Sequence, residues 1–126
     1  MNATLENKLK QLVAEDRIWL IYIGIIFLSW YANNLERKYF VFKDQKSKHK
    51  YRNVMIFIFS VLIIVYFYFF KQSIIDIKNI KPTDSNKKKT LVYLSFYSSL
   101  FILVSGLLFL LIALEDEDLS VELAFN

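Results

Sequence analysis

The chain has no cysteine, one histidine, one proline and two glycines among its 126 residues. Without cysteine there can be no disulfide, thiolate nucleophile, zinc–sulfur site or palmitoylation site. The single histidine, His49, lies in a lysine-rich stretch and has no second histidine with which to share a metal ion. Glycine-rich phosphate loops and nucleophile elbows are also missing. We therefore expect no catalysis, no metal and no cofactor.

Apolar residues dominate the composition. They make up 56% of the chain, and the mean hydropathy is +0.34, which is too apolar for a soluble domain of this length. Continuous apolar runs, unlike alternating ones, exclude a membrane barrel and favour membrane-spanning helices. We predict an all-α integral membrane protein with three transmembrane helices, at about residues 17–35, 53–79 and 87–114.

These helices are predicted to form a single three-helix membrane domain over residues 1–126. Leucines at three- and four-residue spacing make residues 1–14 a short amphipathic N-terminal segment on the membrane surface, or equally a solvated helical tail. Residues 115–126 open with four consecutive carboxylates and form an acidic C-terminal tail, which should end the third helix in water because it opposes the helix dipole.

Local signals indicate where the helices end. Pro82 should stop the second helix, since proline cannot continue it. The three residues that follow, 83–85, are typical of a turn and an N-cap for the third helix. Between the first two spans, residues 33–53 are expected to form a lysine-rich loop whose apolar stretch, 39–42, lies at the membrane interface.

Basic residues next to the spans indicate contact with anionic lipid headgroups rather than with nucleic acid. The formal charge is +4, and each such residue is worth about 1 kcal/mol at a membrane surface. The residues assigned to headgroups are Arg52, Lys71, Lys87, Lys88 and Lys89.

The charge distribution favours an orientation with the N-terminus on the inner side of the membrane. That membrane would be a cell membrane or a viral inner membrane. Nine basic residues in the N-terminal tail and second loop stand against seven in the first loop, although the first span alone favours the opposite orientation.

Two helix faces carry polar or small residues. On the first span, Tyr22, Ser29, Asn33 and Glu36 fall on one stripe of a helical wheel. Such a stripe is either a packing face against other helices or a hydrophilic seam along an ion path. On the third span, Ser95, Ser99 and Gly106 form a small-residue face that can receive another helix or a second copy of the chain, or can line a pore.

Four short segments also resemble a group of uncharacterised small three-span membrane proteins of low-GC bacteria and some large DNA viruses. The segments are Glu15-Asp16-Arg17-Ile18-Trp19-Leu20-Ile21, Asn33-Asn34-Leu35-Glu36, Tyr66-Phe67-Tyr68-Phe69-Phe70-Lys71 and Leu103-Val104-Ser105-Gly106-Leu107. The acidic tail departs from the pattern of that group. The resemblance implies a three-span architecture and carries no activity with it.

The sequence thus favours a protein that acts by binding, as an accessory or scaffold subunit of a membrane complex or as a virion membrane component. Its partners would be the lipid bilayer and another membrane protein or further copies of the chain. The alternative is an oligomeric pore former of the holin type, or a transporter component, built from the same helix faces.

Overall fold

The computed structural model describes residues 3–119, 121 and 123. This part of the chain forms three helices: α1 (Ala3–Phe42), α2 (Gln45–Lys78) and α3 (Asn86–Glu115). The predicted all-α class is confirmed, and α2 and α3 are each long and apolar enough to cross a membrane. The described residues divide into two compact units, one extending to Tyr51 and the other beginning at Arg52 within α2.

The predicted helix ends match the observed ones best around α3. The predicted 87–114 agrees with Asn86–Glu115 to one residue at each end, and the predicted end of the second helix at 79 lies one residue beyond the end of α2. The first helix is much longer than predicted. Residues 3–14, assigned to a separate amphipathic segment, are instead the first turns of α1.

The lysine-rich loop predicted over residues 33–53 is wrong, because only Lys43 and Asp44 lie outside a helix there. The apolar stretch 39–42 forms the last turn of α1, and the basic residues after Asp44 form the first turns of α2. Leucine, glutamate, arginine and lysine are good helix formers, and residues 33–53 contain neither glycine nor proline to interrupt them. Charge therefore marked the ends of apolar runs but not the ends of helices.

The connection between α1 and α2 is held by backbone and carboxylate hydrogen bonds. The Lys43 amide donates to the Tyr39 carbonyl at 2.8 Å, and Lys43 has a left-handed φ of 56°. One Asp44 oxygen accepts from the Lys46 amide at 3.1 Å, and the other accepts from the Ser47 hydroxyl at 2.8 Å. The Ser47 hydrogen bond, together with those from backbone amides, lowers the pKa of the Asp44 carboxyl, which therefore stays anionic as the N-cap of α2.

The left-handed conformation of Lys43 leads to a stability prediction. Glycine adopts this conformation without the steric cost of a β-carbon, so Lys43→Gly should raise the free energy of unfolding by about 1 kcal/mol. Thermal unfolding in detergent micelles, followed by far-ultraviolet circular dichroism, measures the change. Lys46→Gly, at an exposed helical position three residues later, is the matched control and should lower stability by about 1 kcal/mol. Equal losses in both variants would contradict the assignment.

The connection between α2 and α3 is a tight turn around Pro82. The Asp84 amide donates to the Lys81 carbonyl at 3.0 Å, and the Lys81 amide donates to an Asp84 carboxylate oxygen at 2.8 Å. Ser85 is the N-cap of α3, as predicted, and its hydroxyl accepts from the Lys88 amide at 3.1 Å. Turn and cap together stop α2 and begin α3 within seven residues.

Asp84 is the charged centre of this turn. Its other carboxylate oxygen lies 3.2 Å from the Lys88 ammonium nitrogen. The hydrogen bond from the Lys81 amide, followed by the interactions with Lys88, lowers the pKa of Asp84 below its ordinary value. Because the folded-state pKa is the lower one, the stabilisation is present above the unfolded pKa and is lost as the pH falls through the folded pKa.

We expect Asp84→Asn to lower the thermal midpoint at about pH 7 and to match the parent chain once the pH lies below the folded-state pKa, where the aspartate is itself neutral. Asparagine keeps the side-chain shape and removes the charge. Asp76→Asn, at an exposed position of α2, controls for the loss of one negative charge. If Asp84→Asn lowers the thermal midpoint by the same amount at both pH values, the charge of Asp84 does not stabilise the turn.

From Arg52 onward, α2 and α3 each have a buried apolar stripe. The buried residues recur at three- and four-residue intervals along α2, as expected for one helix face. They are Met55, Ile58, Phe59, Leu62 and Val65 on α2, with Leu103, Gly106 and Ala113 on α3. Other faces expose large apolar side chains, among them Ile64 with 71% and Phe101 with 65% of its surface accessible.

Candidate functional site

The contact between α2 and α3, which we call the α2–α3 interface, is the best-defined interaction surface of the described chain. The rings of Phe59 and Phe109 stack with centroids 5.5 Å apart and an interplanar angle of 23°. The rings of Phe70 and Phe96 lie 5.5 Å apart at 31°. Later residues of α2 contact earlier residues of α3, so the two helices are antiparallel. Offset aromatic pairs of this kind add about 0.5–1.5 kcal/mol each beyond their buried area.

The closest approach in this interface is at Gly106. A β-carbon at this position would lie 3.0 and 3.1 Å from two ring carbons of Tyr66 and 3.5 Å from Cγ1 of Ile63. Gly106 is fully helical and buried, so its missing side chain allows the Tyr66 ring to lie directly against the α3 backbone. Small residues have this role where membrane helices pack closely.

One end of the interface is closed by Arg52. Its Nε donates to the Ala113 carbonyl at 3.2 Å, and its Nη2 donates to the Leu114 carbonyl. The last carbonyls of a helix have no partner within the helix and carry its negative dipole end. A guanidinium on α2 thus supplies both the missing donors and a compensating charge to the C-terminus of α3. The sequence assigned Arg52 to lipid headgroups and gave no signal of this contact.

The members of the predicted small-residue face of α3 differ in burial. Gly106 lies in the α2–α3 interface, Ser99 is half-buried and Ser95 is exposed. The residues that complete the buried stripe are Leu103, three positions before Gly106, and Ala113, seven positions after it, with the half-buried Leu110 between them. Their three- and four-residue spacing was visible in the sequence, but α3 is apolar on every side, so spacing alone could not select this face.

The predicted polar stripe of α1 lies beside the buried residues of that helix rather than among them. Tyr22, Ser29 and Glu36 are half-buried, and Asn33 is exposed. The buried positions are apolar and include a series at seven-residue spacing, Ile18, Ile25 and Ala32, followed by Leu35.

Two details of the α1 stripe bear on its chemistry. The ring of Tyr22 meets that of Trp19 edge to face at 5.8 Å. The hydroxyl oxygen of Ser29 is buried and has no hydrogen-bond partner among the described residues. Neither Asn33 nor Glu36 forms a hydrogen bond with that hydroxyl in the described part of the chain. The stripe is therefore not a continuous hydrogen-bonded chain at Ser29.

Of the lysines assigned to headgroups, Lys87, Lys88 and Lys89 lie in the first turn of α3, whereas Lys71 lies seven residues before the end of α2. Lys71, Lys87 and Lys88 are exposed, and Lys89 is half-buried. Among the described residues, no group of three or more histidine, aspartate and glutamate side chains could hold a metal ion.

Comparison of the chain with protein-family models, curated proteins and solved structures found no match.

Proposed function

We propose that the chain is a three-span membrane protein that acts by binding, as an accessory or scaffold subunit of a membrane complex or as a component of a virion membrane. The observation that carries this proposal is the α2–α3 interface. Its interior is filled by stacked phenylalanines and by the Tyr66 ring against Gly106, while outward faces expose residues such as Ile64 and Phe101. A helix pair that is apolar both inside and outside suits a lipid environment.

Helix α1 supplies the third span in this proposal. Residues 18–35 carry no charge, and eighteen helical residues extend about 27 Å, close to the ~30 Å of a bilayer core. Trp19 and Trp30, which are 64% and 67% exposed, lie near the two ends of this segment, where membrane proteins concentrate aromatic residues. Arg17 and Glu36 bracket it with charge.

The closed α2–α3 interface favours binding over conduction. A pore needs a polar lining, and the ring pairs of this interface leave no polar side chain between Phe59 and Phe109 or between Phe70 and Phe96. A pore would instead require several copies arranged around exposed serines of α3, such as Ser95, Ser98 and Ser105. That oligomeric pore is the competing function.

Single cysteines test the three-span topology, because the chain has no cysteine of its own and each introduced thiol is unique. Lys10→Cys, Lys46→Cys, Lys87→Cys and Ile26→Cys are to be labelled in sealed vesicles with a membrane-impermeant maleimide. Three spans predict that residues 10 and 87 react from one side and residue 46 from the other, with no reaction at residue 26. Reaction of residues 10 and 46 from the same side would exclude α1 as a span.

Reconstitution then separates scaffold from pore. Liposomes containing the chain are loaded with a small dye, and leakage is compared with that of protein-free liposomes. A scaffold predicts tight vesicles, and partners that co-purify with the chain in mild detergent. Leakage that grows with protein density, and that stops when Ser98 and Ser105 are replaced by leucine, would overturn the scaffold in favour of the pore.

A further inference from the structure

A groove of about 370 Å³ lies along the first three turns of α3, away from the α2–α3 interface residues described above. It is lined by Asn86, Lys89, Thr90, Tyr93, Leu94 and Tyr97. Their spacing of three and four residues puts them on one side of the helix. The lining changes along the helix, from an amide, an ammonium and a hydroxyl at the first turn to two tyrosines and a leucine further on. A ligand that fits it has a polar, negatively charged end and an apolar end.

The surroundings of the polar end are positively charged. Lys81, Lys87 and Lys88 lie in or next to the turn that leads into the groove. The carboxylate nearest in sequence, Asp84, accepts a hydrogen bond from the Lys81 amide and forms an ion pair with the Lys88 ammonium group. Lys89 therefore lines the groove in a local excess of positive charge, which favours an anion over a zwitterion or a neutral headgroup.

The depth of the groove matches the layers of a bilayer if α3 crosses it. The uncharged run of α3 begins at Thr90, directly after Lys89, so the ammonium group lies at headgroup level. Tyr93 and Tyr97 lie four and eight residues further along, about 6 and 12 Å deeper, at the level of the glycerol and upper acyl chain.

The deep end of the groove is held in place by the α2–α3 interface. The Tyr97 ring contacts Phe96 edge to face at 5.4 Å, and Phe96 in turn contacts Phe70 of α2. Tyr93 and Tyr97 both line the groove and are each about half exposed, and the Tyr97 ring also packs against Phe96.

We propose that this groove binds one anionic phospholipid, with its phosphate at Lys89 and Asn86 and the start of an acyl chain along Tyr93, Leu94 and Tyr97. The proposal rests on the membrane location of α3 argued above, and adds to it a specific lipid site.

Native mass spectrometry of the full chain in detergent micelles tests the site. Phosphatidylglycerol and phosphatidylcholine with the same acyl chains are added separately, and one-to-one adducts are counted. Phosphatidylglycerol should give the stronger adduct, and both Lys89→Gln and Tyr93→Ala should weaken it about fivefold. Lys50→Gln is the matched control: it removes a lysine at an exposed position of α2 that is outside the groove and is not assigned to lipid headgroups, and it should leave the adduct unchanged.

Three outcomes would overturn the site: equal adducts with the two lipids, an equal loss in Lys50→Gln and Lys89→Gln, or displacement of the lipid by glycerol 3-phosphate alone. Unchanged helical content in circular dichroism ensures that a lost adduct reports the site and not unfolding. The topology labelling described above is independent of this readout. If the labelling shows that the chain spans the membrane but Lys89→Gln does not weaken the adduct, only the lipid site is wrong.

Discussion

Replacing Arg52 by methionine is expected to lower the free energy of unfolding by about 2 kcal/mol. The change removes the donors to the Ala113 and Leu114 carbonyls and the positive charge at the C-terminus of α3. Methionine keeps the length and apolar stem of the arginine, so the loss reports the guanidinium. Arg52→Lys keeps the charge without the planar, forked donor geometry and should lose about 1 kcal/mol.

Thermal unfolding in micelles of an uncharged detergent, followed by circular dichroism, measures this effect without lipid and without anionic headgroups. That condition separates the two roles of Arg52, because a residue that acted only on lipid headgroups would have no effect in a lipid-free micelle. Lys50→Met, two residues earlier on α2 and exposed, is the control and should change stability by less than about 0.5 kcal/mol. Equal effects at positions 50 and 52 would show that the carbonyl contacts do not stabilise the helix pair.

Arg52 also illustrates what the sequence could not reveal. The sequence predicts both ends of α3 and the end of α2 to within one residue, because Pro82 and Ser85 act on the backbone next to them. The contact of Arg52 joins residues sixty-one positions apart. A lysine-rich flank predicts charge near the membrane surface, but nothing local tells which of its basic residues will reach the end of another helix.

The misassigned loop has a different cause. The charge of residues 33–53 predicts a loop, yet charge indicates contact with solvent and not backbone conformation. Good helix formers continue α1 to Phe42 and begin α2 at Gln45, and the helix is interrupted only where Lys43 has a left-handed φ and Asp44 caps the next helix. No glycine or proline marks this turn, so the usual signals of a helix end were missing.

Which face of each apolar helix is buried was the least predictable property. On α1 the polar stripe suggested a packing face, but the buried positions are Ile18, Ile25, Ala32 and Leu35 beside it. On α3 the serines and Gly106 share one broad face, and only part of it is buried. When all sides of a helix are apolar, burial follows shape complementarity to a neighbour, and shape is not encoded by hydrophobic periodicity.

Close packing of α2 against α3 depends on the missing side chain of Gly106. Gly106→Leu is therefore expected to lower the free energy of unfolding by about 3 kcal/mol. Its first side-chain atom would already lie 3.0 Å from the Tyr66 ring, closer than van der Waals contact, and the rest of the leucine would force α2 and α3 apart. Titration of the chain from mild detergent into sodium dodecyl sulfate, followed by circular dichroism, measures the loss.

Gly24→Leu is the matched control, since a β-carbon there meets nothing within 4 Å. It makes the same chemical change in α1 and should raise stability by about 0.5–1 kcal/mol, because leucine is the better helix former. Opposite signs at the two glycines would separate close packing from helix propensity. Losses of equal size would show that lost glycine flexibility, and not the Tyr66 contact, is responsible.

A double variant tests whether Tyr66 and Gly106 share one space. Tyr66→Ala alone should also destabilise, since it removes the ring that fills the space beside Gly106. Combined with Gly106→Leu, the new leucine can occupy that space, so the two losses should be less than additive by about 1–2 kcal/mol. Strict additivity would mean that the two positions do not share one space. The antiparallel register of α2 and α3 would then have to be set by the phenylalanine pairs and by Arg52 instead.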